Sequence, residues 1–155
     1  MTTTIATLKY LPIPEDVAND ARATMRDGFG HELTVVRDKA PCRVCLRISK
    51  EPEDLILLSY QPLADKGPYA EIGPIFIHAD RCEVYADATE FPSDFAARRL
   101  VLRAYGYDGH IVDATVAEAG TAPARAAAFL DDNQIEEVHV RHESYTCFQF
   151  KIVRA

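Results

Sequence analysis

A chain of 155 residues can bury one ordinary hydrophobic core and is short for two full domains, so residues 1–155 read as a single domain. With 48% hydrophobic and 26% charged residues the composition is that of an ordered globular protein, and a formal net charge of -7 repels a phosphate backbone, so nucleic acid is not an expected partner. No apolar run approaches the roughly 20 residues that cross a bilayer, and MTTTIATLKYLPIPEDV, broken by Lys9, Pro12 and Pro14, is a poor signal peptide; the expected location is the cytoplasm, with no membrane association.

Pro14-Glu15-Asp16 opens a helical pattern: proline suits a first turn, the acids suit the positive end of the helix dipole, and Gly28 supplies a stop. Val17, Ala21, Thr24 and Met25 fall on one face, which predicts a weakly amphipathic helix of about four turns. Strands follow at Leu33 to Arg37, Leu55 to Tyr60, Pro74 to His78, Leu100 to Tyr105 and His110 to Val116, each rich in β-branched, aliphatic or aromatic residues and bounded by Gly, Pro or Asp. A second, shorter helix is expected over Ala124 to Leu130, with Thr121 as cap and Pro123 in its first turn. Two last strands, Ile135 to Arg141 and Cys147 to Val153, complete the pattern. Asp108-Gly109 marks one hairpin turn, and His142 to Tyr145 marks another. Strands joined by short loops, with a helix near each end, argue for an α+β fold on a mainly antiparallel sheet, strongly curved or barrel-like. Open edges of such a sheet can pair with a second copy, so a homo-oligomer is compatible with the pattern.

The chemistry-bearing residues are thiols and imidazoles. Cys42-x-x-Cys45 is followed by His78-x-x-x-Cys82, then by His139 on one strand and Cys147 at the next. In a reducing compartment four cysteines are more plausibly free thiols, metal ligands or reactive groups than structural disulfides. Cys42, Cys45, His78 and Cys82 would make a closed tetrahedral zinc site, because each short spacing lets one turn present two ligands. Against it stand the roughly 32 residues between the pairs, more than compact zinc modules usually span. The same Cys-x-x-Cys could serve as a redox dithiol with Arg43 and Arg47 supplying positive charge, but Lys50-Glu51-Pro52-Glu53 leaves no room for the helix that a thioredoxin-like fold places after the motif. The third reading packs the cysteines as small, weakly polar residues that fill gaps in the sheet core. Strand alternation sets Phe148, Phe150 and Ile152 on one face and Cys147, Gln149 and Lys151 on the other, with His139 and Arg141 pointing away from Val138 and Val140.

Arginine offers a second chemistry. Arg43 and Arg141, with neighbouring aromatics, could hold an acidic small molecule or peptide, and Arg98, Arg99 and Arg103 could join Arg141 around an anion or simply pair with surface acids. The turn-rich Pro68-Tyr69-Ala70-Glu71-Ile72-Gly73-Pro74 either covers a site or connects strands. Neither G-x-S-x-G nor G-x-G-x-x-G occurs, which leaves serine-hydrolase and dinucleotide motifs without support. Whether the protein is an enzyme, and which small molecule or protein is its partner, is not written in these residues.

Five stretches carry a resemblance: PCRVCL at 41–46, LILLSYQPL at 55–63, PYAEIGPIFIHADRC at 68–82, LRAYGYDGHIVDA at 102–114 and HVRHESYTCFQFKIVR at 139–154. As a set they resemble a bacterial family catalogued as domain of unknown function 1203, from residue 41 onward. The resemblance singles out Cys42, Arg43, Cys45, Tyr69, Gly73, His78, Cys82, His139, Arg141 and Cys147 without giving them roles. The family pattern has asparagine and glycine where this chain has His142 and Thr146, and a glycine there suits a tight hairpin.

Overall fold

The computed structural model describes residues 7–64, 67–86 and 88–155. Its elements in chain order are β1 (Leu8–Leu11), α1 (Glu15–Thr24), β2 (Val35–Asp38), β3 (Glu53–Tyr60), β4 (Gly73–His78), a 3-10 turn at Ser93–Phe95, β5 (Leu100–Gly106), β6 (Ile111–Ala117), α2 (Ala122–Leu130), β7 (Ile135–His142) and β8 (Phe148–Arg154). They form two antiparallel sheets, one of five strands in the order β1-β8-β7-β5-β6 and one of three in the order β2-β3-β4. The fold is α+β and mostly sheet. Neither sheet closes into a barrel: β4 leads into an irregular connection rather than a further ladder, and β1 and β6 remain the edges of the large sheet.

The seven expected strands lie within two residues of their observed bounds. β1 was not expected, because LKYL before Pro12 is too short to show a period; it is a strand through its antiparallel pairing with β8. The α1 helix is shorter than its pattern predicts. It ends at Thr24, where Met25 takes a left-handed conformation (φ 52°) and donates its N–H to the Ala21 carbonyl, three residues before Gly28. The cause lies beyond the helix: Asp27 gathers the loop that follows, accepting from the backbone N–H groups of Phe29, His31 and Ser59 at 2.9 to 3.0 Å. Thr121 precedes α2 but does not cap it, since its hydroxyl donates to the Glu118 carbonyl at 2.7 Å.

Each sheet has its own core. Leu102, Ala104, Val138, Val140, Phe150 and Ile152 share one face of the large sheet and pack against Ala122, Ala126 and Leu130 of α2. On the small sheet Ile56, Leu58, Ile75 and Ile77 pack with Ala18 and Ala21 of α1, the turn containing Cys42, Val44 and Cys45, and Phe148 from β8.

That Phe148 and Phe150 belong to different cores corrects the simple alternation of β8. Val140 pairs with Phe150 but Arg141 pairs with Phe148, so the ladder shifts by one residue at Gln149. The β-bulge reverses the face that Phe148 presents. Phe150 stays with Phe91 and Phe95, with ring centroids at 5.6 and 5.2 Å, whereas Phe148 meets Tyr60 at 5.9 Å and His139 at 5.1 Å. Phe148 thereby joins the large sheet to the small one.

Candidate metal centre and the polar face beside it

PCRVCLRI is a tight turn. Cys42 donates its N–H to the Arg47 carbonyl and accepts from the Leu46 N–H, both at 3.0 Å; Leu46 is left-handed (φ 56°), and Pro41 and Ile48 bridge across the base. The turn is held on the end of β4 by the Arg43 N–H to the Phe76 carbonyl (3.1 Å) and beside the following segment by the Tyr85 N–H to the Val44 carbonyl (2.9 Å). The long sequence gap between the two ligand pairs closes because β3 and β4 form a hairpin. Pairing of Leu55 with His78 returns the chain to its starting point, and Cys82 follows after a bend.

These elements bring Cys42, Cys45, His78 and Cys82 together, with one ligand atom from each lying within 4.8 Å of all the others. Cys42 Sγ stands 3.8 Å from Cys82 Sγ, and Cys45 Sγ 3.6 Å from His78 Nδ1. A tetrahedral ion bonded at about 2.3 Å to sulfur and about 2.05 Å to nitrogen has S–S edges of about 3.8 Å and S–N edges of about 3.6 Å. Cys42 and Cys45 are buried, and Cys82 is half-buried.

The surroundings suit thiolate sulfur. Cys42 Sγ accepts from the His78 backbone N–H at 3.3 Å, Arg22 Nη2 donates to Cys82 Sγ at 3.6 Å while its Nε holds the His78 carbonyl at 3.0 Å, and contact with Cys45 raises the Arg47 pKa. His78 Nε2 is hydrogen-bonded to Glu53 Oε2. A proton held there leaves the Nδ1 lone pair facing Cys45. Hydrogen bonds from Cys45 and Cys82 push the Cys42 thiol pKa far down, and the same contacts with Cys42 push Cys45 and Cys82 up. Three thiols so close together oppose one another's ionisation, and a bound cation would relieve that opposition. All four cysteines are free of disulfides.

His139 and Cys147 lie outside this group. His139 is fully buried, with its ring 4.5 Å from Tyr105 and its Nε2 3.1 Å from Glu137 Oε1; burial lowers its pKa against the opposing pull of Glu137. Cys147 sits on the β7–β8 loop, with Sγ 3.8 Å from the Tyr145 carbonyl. Arg43, inside the Cys-x-x-Cys turn, is spent on backbone carbonyls: its buried guanidinium donates from Nε to the Phe148 carbonyl at 2.8 Å and from Nη1 to the Pro41 carbonyl at 2.6 Å. Burial lowers its pKa to about 10.

The four arginines considered around one anion do not converge. Arg99 pairs with Glu118 at 3.0 Å, Arg98 and Arg99 border a different cavity from Arg141, and Arg103 and Arg141 meet only through Glu71. Glu53, Arg22, Glu71 and Glu137 are the polar partners that sequence reasoning missed. Nothing in local spacing marks them; Glu53 reaches His78 only through the register of the β3–β4 hairpin.

The family model described as protein of unknown function (DUF1203) matches residues 39–154. The chain belongs to this family. No curated protein and no solved structure matches the chain. The matched region of this DUF1203 protein contains all four residues of the Cys/His group and both sides of the β7–β8 hairpin. Thr146, in the β7–β8 turn, adopts a left-handed conformation (φ 62°), a glycine-like backbone that here carries a β-branched residue. Among the described residues no helix is long and apolar enough to cross a membrane.

Proposed function

We propose that this DUF1203 protein binds one zinc ion through Cys42, Cys45, His78 and Cys82, as a closed four-ligand centre. The observation that carries the reading is the convergence of four ligand atoms within 4.8 Å of one another, with one sulfur–sulfur separation of 3.8 Å and one sulfur–nitrogen separation of 3.6 Å at the edge lengths of a zinc tetrahedron. The donor set of three thiolates and one imidazole selects zinc over hard cations, which prefer oxygen. Four protein ligands leave no coordination position for substrate, so the ion's work is structural: it would fasten the Cys42–Cys45 turn to the end of β4 and the segment after it. Glu53 supports the site by orienting His78, and Arg22 and Arg47 offset the net negative charge of a zinc ion with three thiolates. Free thiols also support a reducing location such as the cytoplasm.

A second reading, thiol chemistry of a metal-free cluster, draws on the thiolate character of Cys42 beside Cys82. Elemental analysis of protein purified without a metal-affinity tag, combined with thiol titration, separates the two. The zinc reading expects one zinc per chain, with Cys42, Cys45 and Cys82 protected and Cys147 reactive. Metal-free protein with a fast-reacting Cys42 would replace it by the second reading.

A further inference from the structure

The opposite end of the sheet junction carries a second site. A cavity of about 130 Å³ lies between the β3–β4 connection and the β7–β8 hairpin, lined by Tyr60, Glu71, Arg141, Tyr145, Cys147 and Phe148 among others. We propose that it binds a small organic monocarboxylate, anchored by Arg141, and that Glu71 holds the carboxylate position until such a ligand displaces it.

The argument starts from Arg141. Its side chain is 8% exposed, a costly place for a guanidinium with five donors, and its ordinary hydrogen bond is a single one, from Nη1 to the Thr146 carbonyl at 3.0 Å. Nε has no hydrogen-bond partner among the described residues. The acid nearest to it is Glu71, whose Oε2 is 3.5 Å from Nη1, long for a charge-assisted bond, which runs at about 2.7–2.9 Å. Glu71 is stretched between two arginines, for its Oε1 accepts from Arg103 Nη1 at 3.1 Å. Glu137, the other acid of this face, is committed to His139 at 3.1 Å and Lys151 at 3.3 Å. Behind Phe148 the buried Arg43 donates only to backbone carbonyls. An acidic protein thus sets Arg103, Arg141 and Lys151 around two carboxylates, one of which is on a loop and 52% exposed.

The class of ligand follows from shape. A planar carboxylate matches the guanidinium fork, whereas Glu71 gives Arg141 only one oxygen, its other being taken by Arg103. The cavity has the volume of about four waters, enough for a group of a few heavy atoms. Tyr60, Tyr145 and Phe148 offer apolar walls for a short hydrocarbon tail. Glu71, half exposed and carried by the segment between Gly67 and Gly73, can leave without disturbing either core.

Propionate is the probe, titrated into wild-type protein and Glu71→Ala by calorimetry and thermal melting. Removing the internal competitor is expected to tighten propionate binding about ten-fold, and Arg141→Gln on top of Glu71→Ala to abolish it. Because Arg141 is buried and its replacement can disturb folding, a second measurement uses Glu71→Ala alone: propionate is expected to slow alkylation of Cys147, which lines the same cavity. Equal propionate affinity in wild type and Glu71→Ala, or unprotected Cys147, would overturn the proposal. Inorganic phosphate binding more tightly than propionate would overturn the carboxylate assignment. None of these outcomes bears on the zinc reading, which concerns other side chains.

Discussion

Cys42 Sγ and Cys82 Sγ lie 3.8 Å apart across 40 residues of chain, and the β3–β4 hairpin is what closes that distance. The sulfurs are too far apart for a disulfide, whose S–S bond is about 2.05 Å, and well placed to share a tetrahedral ion. If the ion joins the turn to the end of β4, removing it should loosen the small sheet before the large one. A strong chelator is expected to lower Tm by about 10 °C, with recovery on adding zinc. Cys42→Ser should match the chelated wild type and gain nothing from zinc. Melting curves of the two proteins with and without chelator check this; a Cys42→Ser variant still stabilised by zinc would remove Cys42 from the site.

Glu53 touches His78, not the proposed ion. Replacing it with glutamine keeps the size of the side chain and a hydrogen-bonding group but removes the negative charge that makes Nδ1 a better donor. Competition with a colorimetric zinc chelator should show affinity falling about 10- to 100-fold for Glu53→Gln. Full retention of affinity would mean that the Glu53–His78 pair serves only the surface.

Thr146 occupies a left-handed position with φ 62°, where a β-branched side chain is strained. Thr146→Gly is expected to stabilise the protein by about 1 kcal/mol, read as a shift of the urea midpoint with unchanged m value. A loss of stability would mean that the threonine side chain makes compensating contacts.

Asp27 provides the pH dependence. Its carboxylate is 1% exposed; burial raises its pKa, but hydrogen bonds from Ser59, His31 and Phe29 outweigh this and bring it to about 2. Because the folded pKa lies below the unfolded value, the stabilisation is complete above the ordinary carboxylate range and is lost as pH falls through about 4 toward 2. The contribution is on the order of 1–2 kcal/mol near neutrality. Asp27→Asn should therefore be less stable than wild type at neutral pH, with the gap narrowing in acid. Denaturant melts at several pH values check it, and a constant gap would contradict the assignment.

The sequence was most legible where a period or a turn dipeptide acted locally. Asp108-Gly109 makes its hairpin, and the strand runs from Leu55, Pro74, Leu100 and Ile135 form as their apolar patterns require. The ligand quartet was legible as residue types, because Cys-x-x-Cys and His-x-x-x-Cys each fit one turn or bend, but only the hairpin register brings the pairs together. Two features depended on tertiary context. Met25 ends α1 because Asp27 reorganises the next loop, and the bulge at Gln149 sends Phe148 to the core opposite Phe150, a one-residue shift that no alternation pattern reveals. Glu53 and Glu71 carried no local signature, since an acid beside a strand reads as ordinary surface until its partner is known.

The most direct test of the central claim is X-ray absorption at the zinc edge on protein purified without a metal-affinity tag. The account predicts three sulfur atoms at about 2.3 Å and one nitrogen at about 2.0–2.1 Å from a single zinc ion. A shell dominated by oxygen, or protein that holds no zinc after zinc is supplied, would contradict it.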